Sequence, residues 1–132
     1  MTHAVSVRNI RKVYDRHTAV DDISFEIEKG TVYGMLGPNG AGKTTTIRMM
    51  MDIIRPDSGS VSILGSPPGA ATLDRVGYLP EERGLYKKMK VIDILVYLGG
   101  LKGVPPVEAR KRSMEWLEKL GLTEWSGRKI EE

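Results

Sequence analysis

Residues 37–46 read GPNGAGKTTT, three glycines and a lysine ahead of a run of threonines. Gly37, Gly42, Lys43 and Thr44 satisfy G-x-x-x-x-G-K-[ST], and the pattern lies between a short apolar run and a segment of helical periodicity, the strand-before, helix-after context that this motif requires. A phosphate chain needs several N–H donors converging on it, so the backbone must fold around it without Cβ atoms intruding. Gly37, Gly40 and Gly42 permit that. The helix that follows adds unpaired amides and the positive end of its dipole. Lys43 is placed to reach the β- and γ-phosphates as a point charge, and the Thr44 hydroxyl to ligate a Mg²⁺ bridging them. The chemistry indicated is nucleotide phosphate binding by Gly37, Pro38, Asn39, Gly40, Ala41, Gly42, Lys43, Thr44 and Thr45. The alternative is a glycine-rich turn with an incidental lysine, which requires several near-fixed positions to coincide in the right context. The dinucleotide pattern G-x-G-x-x-G is not met, because Gly40-Ala41-Gly42 is followed by Lys43, Thr44 and Thr45.

The elements that must position this loop can be read around it. AVSVRNIRKVY (4–14) and DISFEIEKG (22–30) alternate apolar and polar residues, which predicts two half-buried strands near a hairpin. TVYGML (31–36) is mostly apolar and predicts a strand buried on both faces. KTTTIRMMMDII (43–54) predicts a helix with Ile47, Met50, Met51 and Ile54 packed on the sheet, and RPDSG (55–59) a turn. SVSILG (60–65) predicts a strand, SPPGAATLD (66–74) a loop and RVGYLP (75–80) a short strand. Beyond residue 80 the character becomes helical. VIDILVYLGGLKG (91–103) predicts one helix and PPVEARKRSMEWLEKLG (105–121) a second, with Ala109, Ser113, Trp116, Leu117 and Leu120 as its buried stripe. The expected organisation is a nucleotide-binding core over 1–84 and the start of a helical subdomain over 85–132.

At 132 residues the chain has the length of one domain, with the 40% hydrophobic and 28% charged content of a globular protein. Twenty basic and seventeen acidic residues leave +3, too even a balance to indicate nucleic acid. The absence of cysteine excludes disulfides and thiolate metal sites. MTHAVSVRNIRK has no apolar signal core, and no apolar run is long enough to span a bilayer, since VIDILVYLGGL is short and carries Asp93. The expectation is a cytosolic protein; if it works at a membrane, another chain does the spanning.

DDISFEIEKGTVYGMLGPNGAGKTTTIRMMMDIIRPDSGSVSILG (21–65) resembles the amino-terminal third of an ABC transporter ATP-binding subunit, and the similarity continues through VGYLPEERGLYKKMKVIDIL to LGL (120–122). It covers nearly the whole chain and is similar to exporter-type subunits of the drug- and sodium-efflux kind. The resemblance implies an α/β phosphate-loop NTPase fold of ABC ATPase type, with ATP and Mg²⁺ as cofactors. As partners it implies a transmembrane permease subunit and a second ATP-binding subunit. It places the protein in the cytoplasm, peripheral on the inner face of the cell membrane.

Tyr14 matches the aromatic that stacks on adenine in that family, with ordinary packing as the alternative, and Val20 matches an apolar contact to the ribose. The residue after Pro80 matches a glutamine that contacts Mg²⁺ and the attacking water; here it is Glu81. The resemblance therefore makes Lys43 and Glu81 catalytic and Thr44 and Glu81 metal ligands. Glutamate can ligate Mg²⁺, but it adds a negative charge beside the γ-phosphate and cannot donate a hydrogen bond. The alternative for Glu81-Glu82-Arg83 is a solvated charged loop.

The family's other catalytic parts are an apolar strand ending Asp-Glu, a switch histidine and an LSGGQ-like signature, and none is matched. MMMDII ends in Asp52 but belongs to the helix after the loop, Asp93 stands early in a helix, and LGG (98–100) sits mid-helix. His3 and His17 lie ahead of the loop and read as surface residues. The chain is expected to represent the amino-terminal part of an ATPase subunit, inactive by itself and prone to self-association through the apolar edge of TVYGML. Competing readings are nucleotide binding without hydrolysis and a soluble ABC-type ATPase acting on ribosomes or in DNA repair. A GTPase is disfavoured: Asp74 to Gly77 gives D-x-x-G, but Asp74 follows a loop composition and no N-K-x-D is present.

Overall fold

A computed structural model describes residues 3–81 and 84–132, which form two compact units, one up to Tyr78 and one from Leu79. The first unit is built on an antiparallel sheet of β1 (His3–Tyr14), β2 (His17–Glu28) and β3 (Ser58–Ile63), in the order β2-β1-β3. Strands β1 and β2 meet in a two-residue turn, Asp15-Arg16, with Asp15 at φ 46°. Between β2 and β3 lies α1 (Lys43–Met50), and a single helical turn, α2 (Ala70–Leu73), follows β3.

The core of this unit is Val7, Ile10, Val20, Met49, Val61 and Ile63, with Ile23, Phe25, Met50 and Ile54 packed around it. Strand alternation alone cannot put Val7 and Ile10 on one face, because they are three residues apart. A β-bulge supplies the extra residue: the β1–β2 register shifts between Val7 and Ile10, and Asn9 sits at φ 47°. Asn9 is held there by its amide, which donates to Ser24 Oγ at 2.8 Å, and by its side-chain Nδ2, which donates to Asp22 Oδ1 at 2.8 Å. On the other side of β1, Gly59 comes so close that a Cβ there would lie 2.3 Å from the Asn9 carbonyl oxygen.

In the second unit, α3 (Val91–Leu101) packs on α4 (Pro106–Lys119), followed by a 3₁₀ turn, Thr123–Trp125. Ile92, Ile94, Ala109 and Leu117 are its buried residues. A Cβ added at Gly99 would lie 3.2 Å from that of Ala109, so Gly99 of LGG allows close approach of the two helices, whereas Gly100 faces open space. Both helices end in the αL conformation at a glycine. Gly103 and Gly121 donate to the carbonyls of Gly100 and Glu118, and Val104 and Leu122 to those of Gly99 and Leu117.

Several elements differ from the sequence expectation. TVYGML is not a strand. Its backbone joins no ladder among the described residues, Val32 and Leu36 are 103% and 95% exposed, and Tyr33 stacks on Phe25 with ring centroids 5.5 Å apart. An apolar run becomes a strand only where a neighbouring strand pairs with it, and among the described residues none of the three strands does. RVGYLP is likewise irregular, with Val76 packed on the core. SPPGAATLD contains α2, which starts where the Gly69 amide donates to Thr72 Oγ1 at 3.0 Å.

Helix α1 ends at Met50, before the expected Ile54, so Asp52 is a turn residue at φ 54°. Ile53 and Asp52 close the helix by donating to Arg48 and Met49 carbonyls. Its buried residues are Thr46 and Met49. On α4 the buried stripe is narrower than expected: Ala109 and Leu117 are buried, whereas Trp116 and Leu120 are 61% and 63% exposed. Trp116 lies instead beneath the Lys119 ammonium, 5.1 Å from the ring centroid.

Candidate functional site: the loop at the start of helix α1

Helix α1 begins with no side-chain cap. Its first helical hydrogen bond runs from the Thr46 amide to the Gly42 carbonyl at 2.9 Å, so the amides of Lys43, Thr44 and Thr45 precede it. Gly42, the cap residue, has φ 93°, and a Cβ there would stand 2.4 Å from the Ala19 carbonyl oxygen and 3.2 Å from Val20 Cγ2. Only glycine fits, for both reasons. Gly40 also has positive φ, 83°, but faces open space. Within the loop the Ala41 amide donates to the Pro38 carbonyl at 3.1 Å, and Lys43 Nζ donates to the Gly37 carbonyl, drawing the two ends of the loop together. A Cβ at Gly37 would meet that of Ala41 at 3.2 Å and lie 3.8 Å from Lys43 Cδ.

Gly37, Pro38, Asn39, Gly40, Ala41 and Thr44 are exposed, Thr45 is half-buried, and Thr46 turns inward. The result is an exposed loop that carries a lysine and the Thr44 hydroxyl and leads into a helix anchored by buried Thr46 and Met49. Such an arrangement suits an anion carrying several negative oxygens, because helix amides and an ammonium supply positive charge at fixed positions.

The structure brings Val20 to this loop through its contact at Gly42; its side chain is buried in the core. Tyr14 ends β1 opposite His17 and is 45% exposed, so its ring is not part of the core. Its neighbour Lys12 places Nζ 5.4 Å from the ring centroid. Glu81 is exposed and belongs to the second unit, and the adjacent Glu82 and Arg83 lie outside the described residues. His17 is exposed; His3, half-buried, has Nε2 3.3 Å from Glu26 Oε2.

Asp57 is a residue that turn chemistry alone explains too little. Its Oδ2 accepts the Val13 amide at 2.7 Å and its Oδ1 the Lys12 ammonium at 3.2 Å. The Val13 hydrogen bond, then Lys12, hold its carboxyl below the ordinary value of 3.8. The sequence signal for it was an acid placed directly after Pro56, but its partners are 44 and 45 residues away, so spacing could not name them.

A glycine loop of the G-x-x-x-x-G-K-[ST] pattern leading into α1 points to the phosphate-loop NTPase class. The comparisons with known proteins narrow it. The ABC transporter family model matches residues 20–132. An uncharacterized ABC transporter ATP-binding protein of Bacillus subtilis (strain 168) is 43% identical over 128 residues, which cover 97% of this chain and 43% of that protein. The linearmycin resistance ATP-binding protein of the same organism is 40% identical over 130 residues, 96% of this chain and 42% of that protein. A solved ATP-binding subunit of an ABC transporter superposes with a TM-score of 0.80 at 23% identity, covering 96% of this chain and 54% of that one. The chain belongs to the ABC transporter ATP-binding family and has its α/β phosphate-loop fold. It spans less than half the length of these two curated relatives. No helix among the described residues is long and apolar enough to cross a membrane.

Proposed function

We propose that this chain is the phosphate-binding part of an ATP-hydrolysing subunit that energises an ABC exporter. The observation that carries the nucleotide reading is the start of α1: uncapped amides, Gly42 fixed against Ala19, and Lys43 folded across the loop. These residues fit a triphosphate, since the loop and the start of α1 offer amide donors, and the Lys43 ammonium that now crosses the loop is itself a phosphate partner. Lys43 would exchange the Gly37 carbonyl for phosphate oxygens, and the amides of 43–45 would bind the remaining charge. Thr44 would ligate Mg²⁺, which when bound would neutralise charge on the phosphate oxygens. Tyr14 would stack on the base, and Val20, 2% exposed beneath Gly42, would back the loop. As a carboxylate, Glu81 cannot donate to the attacking water as an amide would.

The core over 1–84 would carry the nucleotide and the helical part over 85–132 the link to a transmembrane permease. A second ATP-binding subunit would complete the site, and the assembly would sit at the cytoplasmic face of the membrane. Export as the direction is favoured by a relative that is a Nod factor export ATP-binding protein. These 132 residues include no acidic pair following an apolar strand, so the chain alone is expected to bind Mg-ATP without turning it over.

Titration of Mg-ATP against the parent chain and Lys43→Ala tests the reading. Loss of the charge-assisted contact should weaken binding by about one to two decades. A folded Lys43→Ala chain with unchanged affinity would remove the loop from the nucleotide site.

A further inference from the structure

Three successive residues of β1 are tied to one side chain and its backbone. The Asp57 amide donates to the Arg11 carbonyl at 2.8 Å, while its two carboxylate oxygens take the Lys12 ammonium and the Val13 amide. Immediately beyond them stands Tyr14, with the Lys12 ammonium over its ring. The Lys12 side chain is only 18% exposed, whereas Tyr14 is far more open. The end of β1 is therefore locked on one side of the tyrosine and free on the other.

We propose that Asp57 and Lys12 are positioning residues that clamp one face of Tyr14, so that its opposite face is presented ready-made to a nucleotide base. This rests on the stacking role given to Tyr14 above. An exposed tyrosine at a hairpin end has two torsions to fix before it can stack, and ordering it on binding costs affinity. Lys12 fixes the ring by a cation–π contact, and Asp57 in turn fixes Lys12 and the backbone next to it. The ammonium is balanced by the carboxylate, so the clamp does not itself attract phosphate. Asp57 is held ionised through the neutral range by the Val13 amide and Lys12, which keeps the pair intact there. The clamp would favour any base with a π face and would be silent toward a phosphate chain lacking one.

The experiment compares affinities of the 132-residue chain for Mg-ATP and for magnesium tripolyphosphate, which carries the phosphates without the base. In the parent, ATP should bind more tightly than tripolyphosphate. Asp57→Ala should reduce that advantage by about three- to tenfold, while tripolyphosphate affinity stays within about twofold. Lys12→Gln, which leaves the Asp57–Val13 hydrogen bond in place, should reduce the advantage in the same sense and serves where Asp57→Ala unfolds the hairpin. In a Tyr14→Ala background neither change should alter the ratio further, since the ring they position is gone.

A parallel loss for ATP and tripolyphosphate would overturn the clamp and leave Asp57 a purely structural residue. So would an unchanged ratio in both Asp57→Ala and Lys12→Gln when Tyr14→Ala alone lowers it. If Tyr14→Ala itself leaves the ratio unaltered, the stacking role fails and the clamp with it, whereas the phosphate loop is still judged by Lys43→Ala.

Discussion

The starts of α1 and α3 solve the same problem in opposite ways. Every helix begins with amides that lack an intrahelical partner. At α3 the chain satisfies them itself: Val91 and Ile92 donate to the carbonyls of Arg128 and Ser126 at 2.9 and 3.0 Å. Asp93 adds a carboxylate in the first turn, with Arg110 Nη2 3.8 Å away. Neither helix has a side-chain cap, but at α1 no acid occupies the first turn, and a lysine stands where α3 has a valine. The α3 start is complete within the protein. At the α1 start no such carbonyl partners are seen for the first amides among the described residues, and under the proposed function an anion from outside would take that place.

The most damaging test of this contrast is Gly42→Ala. The new Cβ meets the Ala19 backbone, and a non-glycine residue at φ 93° costs on the order of 1–3 kcal/mol, so both unfolding free energy and ATP affinity should fall sharply. Gly40→Ala carries similar backbone strain in open space and should be milder. Equal effects in a side-by-side denaturation and ATP titration would mean that contact with Ala19 does not shape the loop.

Base recognition is the next largest effect. Tyr14→Phe and Tyr14→Trp should retain ATP affinity, while Tyr14→Ala weakens it by roughly five- to a hundredfold, matching ~1–3 kcal/mol for a stacked base. Isothermal titration of the three variants would decide whether the exposed ring is a binding element or hairpin packing.

Smaller again is Asp93→Asn. It removes the charge favourable to the α3 dipole and the Arg110 partner, for an expected loss of about 0.3–1 kcal/mol in thermal or chemical unfolding, with ATP affinity unchanged. A marked drop in ATP affinity would show that the two helix starts are not as independent as their hydrogen bonding indicates.

The smallest effect separates Asp57→Asn from the parent as a function of pH. The folded-state carboxyl lies below its ordinary value of 3.8, so ionised Asp57 adds stability above that value. This margin is lost as pH falls through the lowered folded-state value. The parent should therefore unfold at higher denaturant than Asp57→Asn near neutrality, and the two curves should converge in strong acid. A gap that widened on acidification would reverse the assigned sign. Glu108, held low by Arg112 at 2.7 Å, follows the same rule.

Much of the molecule was legible because its causes are local. The loop GPNGAGKTT could be read from residue types alone, since positive φ and a missing Cβ are properties of glycine, and the structure needs them most at Gly42. Strand β1 and the later part of β2 showed in the alternation, although β2 starts at His17, five residues before the expected strand, and the ends of α3 and α4 showed in Gly103 and Gly121. The fold class followed from those features together with the family resemblance. Burial on α4 was less legible: Trp116 lies on a plausible helical stripe, but a stripe says which residues share a face and not how far a neighbour extends over it.

The sequence by itself thus determined where the phosphate loop lies and which residues line it, because each requirement is met within ten consecutive residues. Tertiary structure decided the rest. It denied TVYGML a ladder, since hydrogen-bonded strands need partners that no apolar run can specify. It also joined Asp57 to Val13 and Lys12 across more than forty residues. Hydrogen bonds between residues so far apart are chosen by the bulge, the register and the return of β3 to β1, and those are properties of the folded chain.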